Sequence, residues 1–189
     1  MKTQEDLNVI RELNISRYKK HLHQDLDPTS IILKGHLFIE ELLMDIIKLQ
    51  CRDTSPIENI QLSFYHKLKL AQALYISHLP IIQGPEGLWS VLDNFNQLRN
   101  AMAHEIDSPR FTKKLNAFIS SYEQLSIKGI NMKLDIPVST ALYNKSFSVD
   151  LLSIIYSILG ALGFLQGIAF LNPPPMNSEG AMIIIPDEV

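Results

Sequence analysis

With 189 residues, 46% of them hydrophobic and 20% charged, the chain has the composition of a globular domain rather than a disordered one, and is long enough to bury a core without disulfides or metals. A formal charge of −3 argues against binding nucleic acid through bulk positive charge, yet leaves room for a local site for one phosphate. Cys51 is the sole cysteine, which rules out intrachain disulfides and cysteine-based zinc clusters and suits a reducing, cytoplasmic setting.

Residues 1–24 are too charged for a signal peptide. Leu7, Ile10, Leu13, Ile15 and Tyr18 follow a loose helical period, which predicts a first helix over residues 4–23. Asp25 to Ser30 reads as a turn, with a capping residue and Pro28 opening a second helix that runs to about Leu49. Residues 51–60 are polar, contain Pro56 and are expected to form a loop. A third helix is expected over residues 62–74, where Leu62, Tyr65, Lys69 and Ala73 keep step, and Pro80 to Gly87 breaks it.

The fourth helix spans about residues 86–104, with Leu88, Val91, Leu92, Phe95, Leu98 and Met102 on one face. A fifth opens at Ser108-Pro109 and reaches about Leu125. Residues 129–144 hold Pro137 and the β-branched Ile136, Val138 and Thr140, an irregular excursion or short strand. Ser148 is the expected cap of a sixth, apolar helix that Pro173 ends.

No charged residue occurs in residues 151–171, a length that can cross a bilayer. Ser153, Tyr156, Ser157 and Gln166 interrupt it, and Lys145 is the only basic residue close by, so a positive-inside signal is missing. Burial in the core or in a dimer interface is the expectation, with no membrane partner. Gly163 and Gly167, with Gly160 nearby, have the spacing that lets helices approach closely. The expected fold class is all-α: a helical bundle over 1–126, an irregular excursion over 127–147, an apolar helix over 148–172 and a tail over 173–189.

The stretch Asn-Gln-Leu-Arg-Asn-Ala-Met-Ala-His-Glu, residues 96–105, carries the densest chemistry. Arg99 can clamp a phosphate, Asn100 can orient it, and His104 can move protons near neutral pH. On an ideal helix Asp93, Asn96, Asn100 and His104 form one polar stripe, while Arg99 falls between Leu92 and Phe95 on the apolar face. There it needs a partner or must snorkel, and Glu40 or Glu41 is a candidate carboxylate. Arg99 and His104 stand about 140 degrees apart, so one chain does not aim both at one phosphate; two-fold pairing of this helix would gather two Arg and two His around a cleft. The plainer alternative leaves Asn100 and His104 on a solvated face and Arg99 in a structural ion pair, favoured near a helix C-terminus.

His36 and Glu40 lie one turn apart, as do Glu41 and Asp45, but spacing brings no third ligand to either pair, so neither a metal site nor a cofactor is expected. His66, Lys67 and Lys69 could help hold RNA but read rather as a solvated face, and Trp89 reads as core rather than a base-stacking platform.

Leu98-Arg99-Asn100-Ala101-Met102-Ala103-His104 resembles the Arg-x4–6-His signature of the HEPN superfamily (higher eukaryotes and prokaryotes nucleotide-binding domain), which commonly has a polar residue after the Arg. The resemblance extends to residues 35–43 and 62–71, similar to helices of HEPN-type families that include mannitol-operon-repressor-like proteins. It covers roughly residues 28–125. It implies an antiparallel helical bundle with the C-terminal apolar helix as an addition, acting as a homodimer. It further implies metal-independent ribonuclease chemistry, in toxins or anti-phage effectors, with Arg99, Asn100 and His104 catalytic, Asn96, Glu40 and Glu41 in support, and an RNA substrate. Toxins restrained by a nucleotidyltransferase antitoxin carry a Tyr two positions after the His; Ile106 stands here, so modification of such a Tyr is not expected. Other members are non-catalytic regulators that act through protein contacts, so the partner is an antitoxin or a regulatory protein.

Overall fold

The computed structural model describes residues 3–74, 87–103, 109–125 and 145–173. Among these residues every regular element is a helix: α1 Gln4–His21, α2 Pro28–Gln50, α3 Ser55–Glu58, α4 Phe64–Leu74, α5 Leu88–Met102, α6 Pro109–Gln124 and α7 Lys145–Leu171. The described residues are all-α, as their periodicity predicts. The segment expected to be an excursion or strand, residues 129–144, lies outside the described residues.

Local chemistry explains most helix starts. Thr3 caps α1 in a reciprocal box, its hydroxyl accepting from the Asp6 backbone N–H at 3.2 Å while Asp6 accepts from the Thr3 N–H at 2.9 Å. Asp27 caps α2, accepting from the Ser30 N–H at 2.9 Å, with Pro28 at the first helical position. Ser63 accepts the His66 N–H at 3.3 Å, so α4 begins at Phe64 and Leu62 stays outside it. The expected loop after Cys51 contains the single turn of α3. Ser148 does not cap α7: the helix already runs from Lys145, and Ser148 is buried within it.

α2 is the hub. It packs most extensively on α7 and also on α4 and α5; α5 packs in turn on α6, and α1 rests on α7. Ile31, Ile32, Ile39, Leu43 and Ile46 of α2 are fully enclosed, as are Val91, Leu92, Phe95 and Leu98 of α5. Burying apolar area of this kind is the main favourable term of the fold. Trp89 is in the core, as expected.

Phe147–Leu171 is long and apolar enough to cross a membrane, but its stripe of Leu151, Ile154, Ile155, Ile158, Leu162 and Leu165 is buried in the core shared with α2. A polar clasp accompanies this packing, with Gln166 Nε2 donating to Asp45 Oδ2 at 3.0 Å. The small-residue spacing acts as expected at Gly167, which lies against α1, where a Cβ would stand 3.3 Å from Leu7 Cδ2. Gly160 and Gly163 face open space, and the close α2–α7 approach is at Gly35, against Ile155.

Candidate functional site

A cavity of about 310 Å³ opens where α2, α4 and α5 meet, lined by His36, Glu40, Ser63, Phe64, Tyr65, Asn96, Arg99 and Asn100. Three of the residues singled out in the sequence stretch, Asn96, Arg99 and Asn100, share it. They follow at i, i+3 and i+4 on the last turns of α5, neighbouring positions on a helix surface. Of the two outcomes expected for Arg99 beside Leu92 and Phe95, a carboxylate partner or snorkelling, the side chain takes the second. Arg99 is half-buried, its long side chain carries the guanidinium off the apolar face, and Nη1 donates to Asn100 Oδ1 at 3.4 Å. The predicted polar stripe divides: Asp93 turns away from the cavity to accept from Gln97 Nε2 at 2.7 Å, and Gln97 in turn accepts from Lys114 of α6. His104 and Ile106 lie outside the described residues.

The two acidic candidates separate because they are consecutive on α2 and point about 100 degrees apart. Glu40 faces the cavity; Glu41 turns to α1, where Arg17 Nη2 donates to it at 2.9 Å. Neither forms the expected ion pair with Arg99 among the described residues. Glu40 accepts instead from Lys67 Nζ at 2.8 Å, so Lys67 belongs to the site rather than to a purely solvated face. His66 and Lys69 remain exposed.

His36 is the residue that sequence reasoning placed but did not recruit. It is 6% exposed, stacked on Phe64 with ring centroids 4.2 Å apart, and its Nε2 lies 3.2 Å from Asn96 Oδ1. Its Nδ1 is 3.8 Å from Glu40 Oε2. Burial holds the imidazole below its ordinary titration range; the Asn96 contact and the Glu40 charge oppose this, while the Arg99 and Lys67 charges reinforce it. The i, i+4 spacing of His36 and Glu40 announced a shared face. That the face meets Asn96 and Arg99 depends on packing between helices far apart in sequence.

The arrangement presents a guanidinium, two carboxamides and a hydroxyl around a pocket whose floor is aromatic. Such a donor set suits a phosphate or phosphodiester oxygen, with Glu40, paired to Lys67, at one side. Compared with known proteins, the chain matches no family model, no curated protein and no solved structure.

Proposed function

We propose that the chain is a HEPN-type, metal-independent endoribonuclease, a cytoplasmic toxin or anti-phage effector working as a homodimer. The observation that carries this reading is the convergence of Arg99, Asn100 and Asn96 on one cavity beside a buried imidazole. Arg99 clamps the scissile phosphate and neutralises charge that builds as the 2′-oxygen attacks. Asn100 orients a non-bridging oxygen. His104 takes the 2′-hydroxyl proton or protonates the departing 5′-oxygen, and its counterpart in the second copy serves the other role. The O2′–P bond forms as the P–O5′ bond breaks, leaving a 2′,3′-cyclic phosphate and a 5′-hydroxyl.

The test is incubation of total RNA with wild-type protein and with the Arg99→Ala and His104→Ala variants, followed by end-group analysis. Wild type is expected to cut and leave those termini, and each variant to lose cleavage by on the order of 10²–10⁴-fold. Wild-type-like cleavage by His104→Ala would sink the assignment.

A second reading, a non-catalytic HEPN regulator resembling the mannitol-operon-repressor-like proteins, is favoured by Leu33 and Leu37. They stand one turn apart on α2, 40% and 59% exposed, an apolar surface suited to a protein partner. Wild-type protein that leaves RNA intact but loses a partner upon Leu37→Glu would support it.

A further inference from the structure

Resting on the phosphate-site reading above, we infer that His36 is a positioning residue of that site, setting the Asn96 carboxamide so that its N–H groups are offered to the bound phosphate. Asn96 Oδ1 can only accept, so the 3.2 Å contact requires the proton on His36 Nε2. In that tautomer, with Oδ1 engaged by the imidazole, the group Asn96 has left for a guest is its NH₂ donor. A free carboxamide would turn either end towards a ligand, and its oxygen would repel an anion.

The surroundings hold the imidazole in this role. Phe64 stacks on it at 4.2 Å and Phe95 lies at 6.1 Å, which restricts rotation of the ring. The charged groups that face it are Glu40 from its own helix, Lys67 from α4 and Arg99 from α5. Glu40 Oε2, 3.8 Å from Nδ1, is beyond hydrogen-bond reach and its carboxylate is engaged by Lys67, so Asn96 is the ring's hydrogen-bond partner among the described residues. A buried histidine serving only as core would require none of these polar relations, because an apolar side chain of the same volume would pack on Phe64 as well. His36 itself stays behind Asn96, and its effect on the phosphate passes through that residue.

The experiment uses a 2′-deoxy-substituted oligoribonucleotide, which binds but cannot be cut, titrated into wild type, His36→Phe, His36→Gln, Asn96→Ala and the His36→Phe/Asn96→Ala double variant. Melting curves establish that each protein is folded. His36→Phe keeps the stacking and loses the donor, and is expected to bind roughly tenfold more weakly. His36→Gln retains an N–H and recovers most of the loss. In the Asn96→Ala background, His36→Phe produces no further weakening, a non-additivity that a general packing defect would not generate. Additive losses, or a His36→Phe protein that binds as wild type while Arg99→Ala does not, overturn the positioning role and leave the phosphate site standing. Failure of wild type to bind the probe at all overturns both. If His36→Phe does not fold, the comparison of His36→Gln with Asn96→Ala decides: binding by His36→Gln as poor as by Asn96→Ala overturns the role, and near-wild-type binding supports it.

Discussion

A Cβ placed on Gly35 of α2 would stand 2.9 Å from Cγ2 of Ile155 on α7. That methyl belongs to a β-branched side chain with little rotamer freedom, so it cannot swing aside. The contact sits in the most extensive helix pair of the bundle. Gly35→Ala is expected to lower stability by about 1–3 kcal/mol through overpacking. Gly163→Ala is the control: nothing lies within 4 Å of the point its methyl would occupy, and replacing a helical glycine is expected to add up to about 1 kcal/mol. Urea denaturation of the two variants checks the opposite signs.

The Asp27 cap offers a second test. Its carboxylate accepts from the Ser30 N–H and hydroxyl, at 2.9 and 2.6 Å, and these bonds hold it below the usual carboxylate range. Asp27→Ala should cost about 1 kcal/mol at neutral pH. Because the folded value is depressed, that difference is present above the unfolded carboxylate value and fades as the pH falls through the folded one. Denaturant midpoints at pH 7 and pH 3 would show the gap narrowing; an equal gap at both would contradict it.

His36 makes stability depend on pH in the same direction. Burial, the first cause, depresses its folded value, so the fold binds fewer protons there than the unfolded chain does. Its contribution is complete above the unfolded value of about 6.5 and is lost as the pH falls below it. Wild type should therefore lose stability between pH 7 and pH 5 more steeply than His36→Gln. Parallel melting-temperature profiles for the two would count against the linkage.

Lys67 and Glu40 pull on the same imidazole in opposite senses. Their side chains are 18% and 26% exposed, respectively, and 2.8 Å apart. Lys67→Met leaves the carboxylate without its cation and is expected to cost about 1–3 kcal/mol, less than a fully buried pair would. It also removes a positive charge near His36, so the ring should titrate higher, whereas Glu40→Gln should move it lower. NMR titration of the His36 ring protons separates these outcomes; movement in the same direction in both variants would refute the arrangement.

Periodicity and capping chemistry determine the helices here. Thr3, Asp27 and Pro28 act on backbone groups within a few residues, so their effects are readable without the fold. The buried stripe of α5 is equally local, since Leu88, Val91, Leu92, Phe95 and Leu98 repeat at helical spacing. Arg99 and Asn100 mark, by residue type alone, side chains able to hold a phosphate. Helix angles leave two outcomes open for Arg99, a carboxylate partner or snorkelling, because a Cα direction does not describe where a long, flexible side chain carries its charge. Glu40 and Glu41 are equivalent in the sequence; only the packing of α2 between α1 and α4 assigns one to Lys67 and the other to Arg17. His36 enters the site by the same route, through a contact spanning 60 residues. Such contacts depend on which helix faces meet, and that is decided by the burial of the whole core rather than by any one segment.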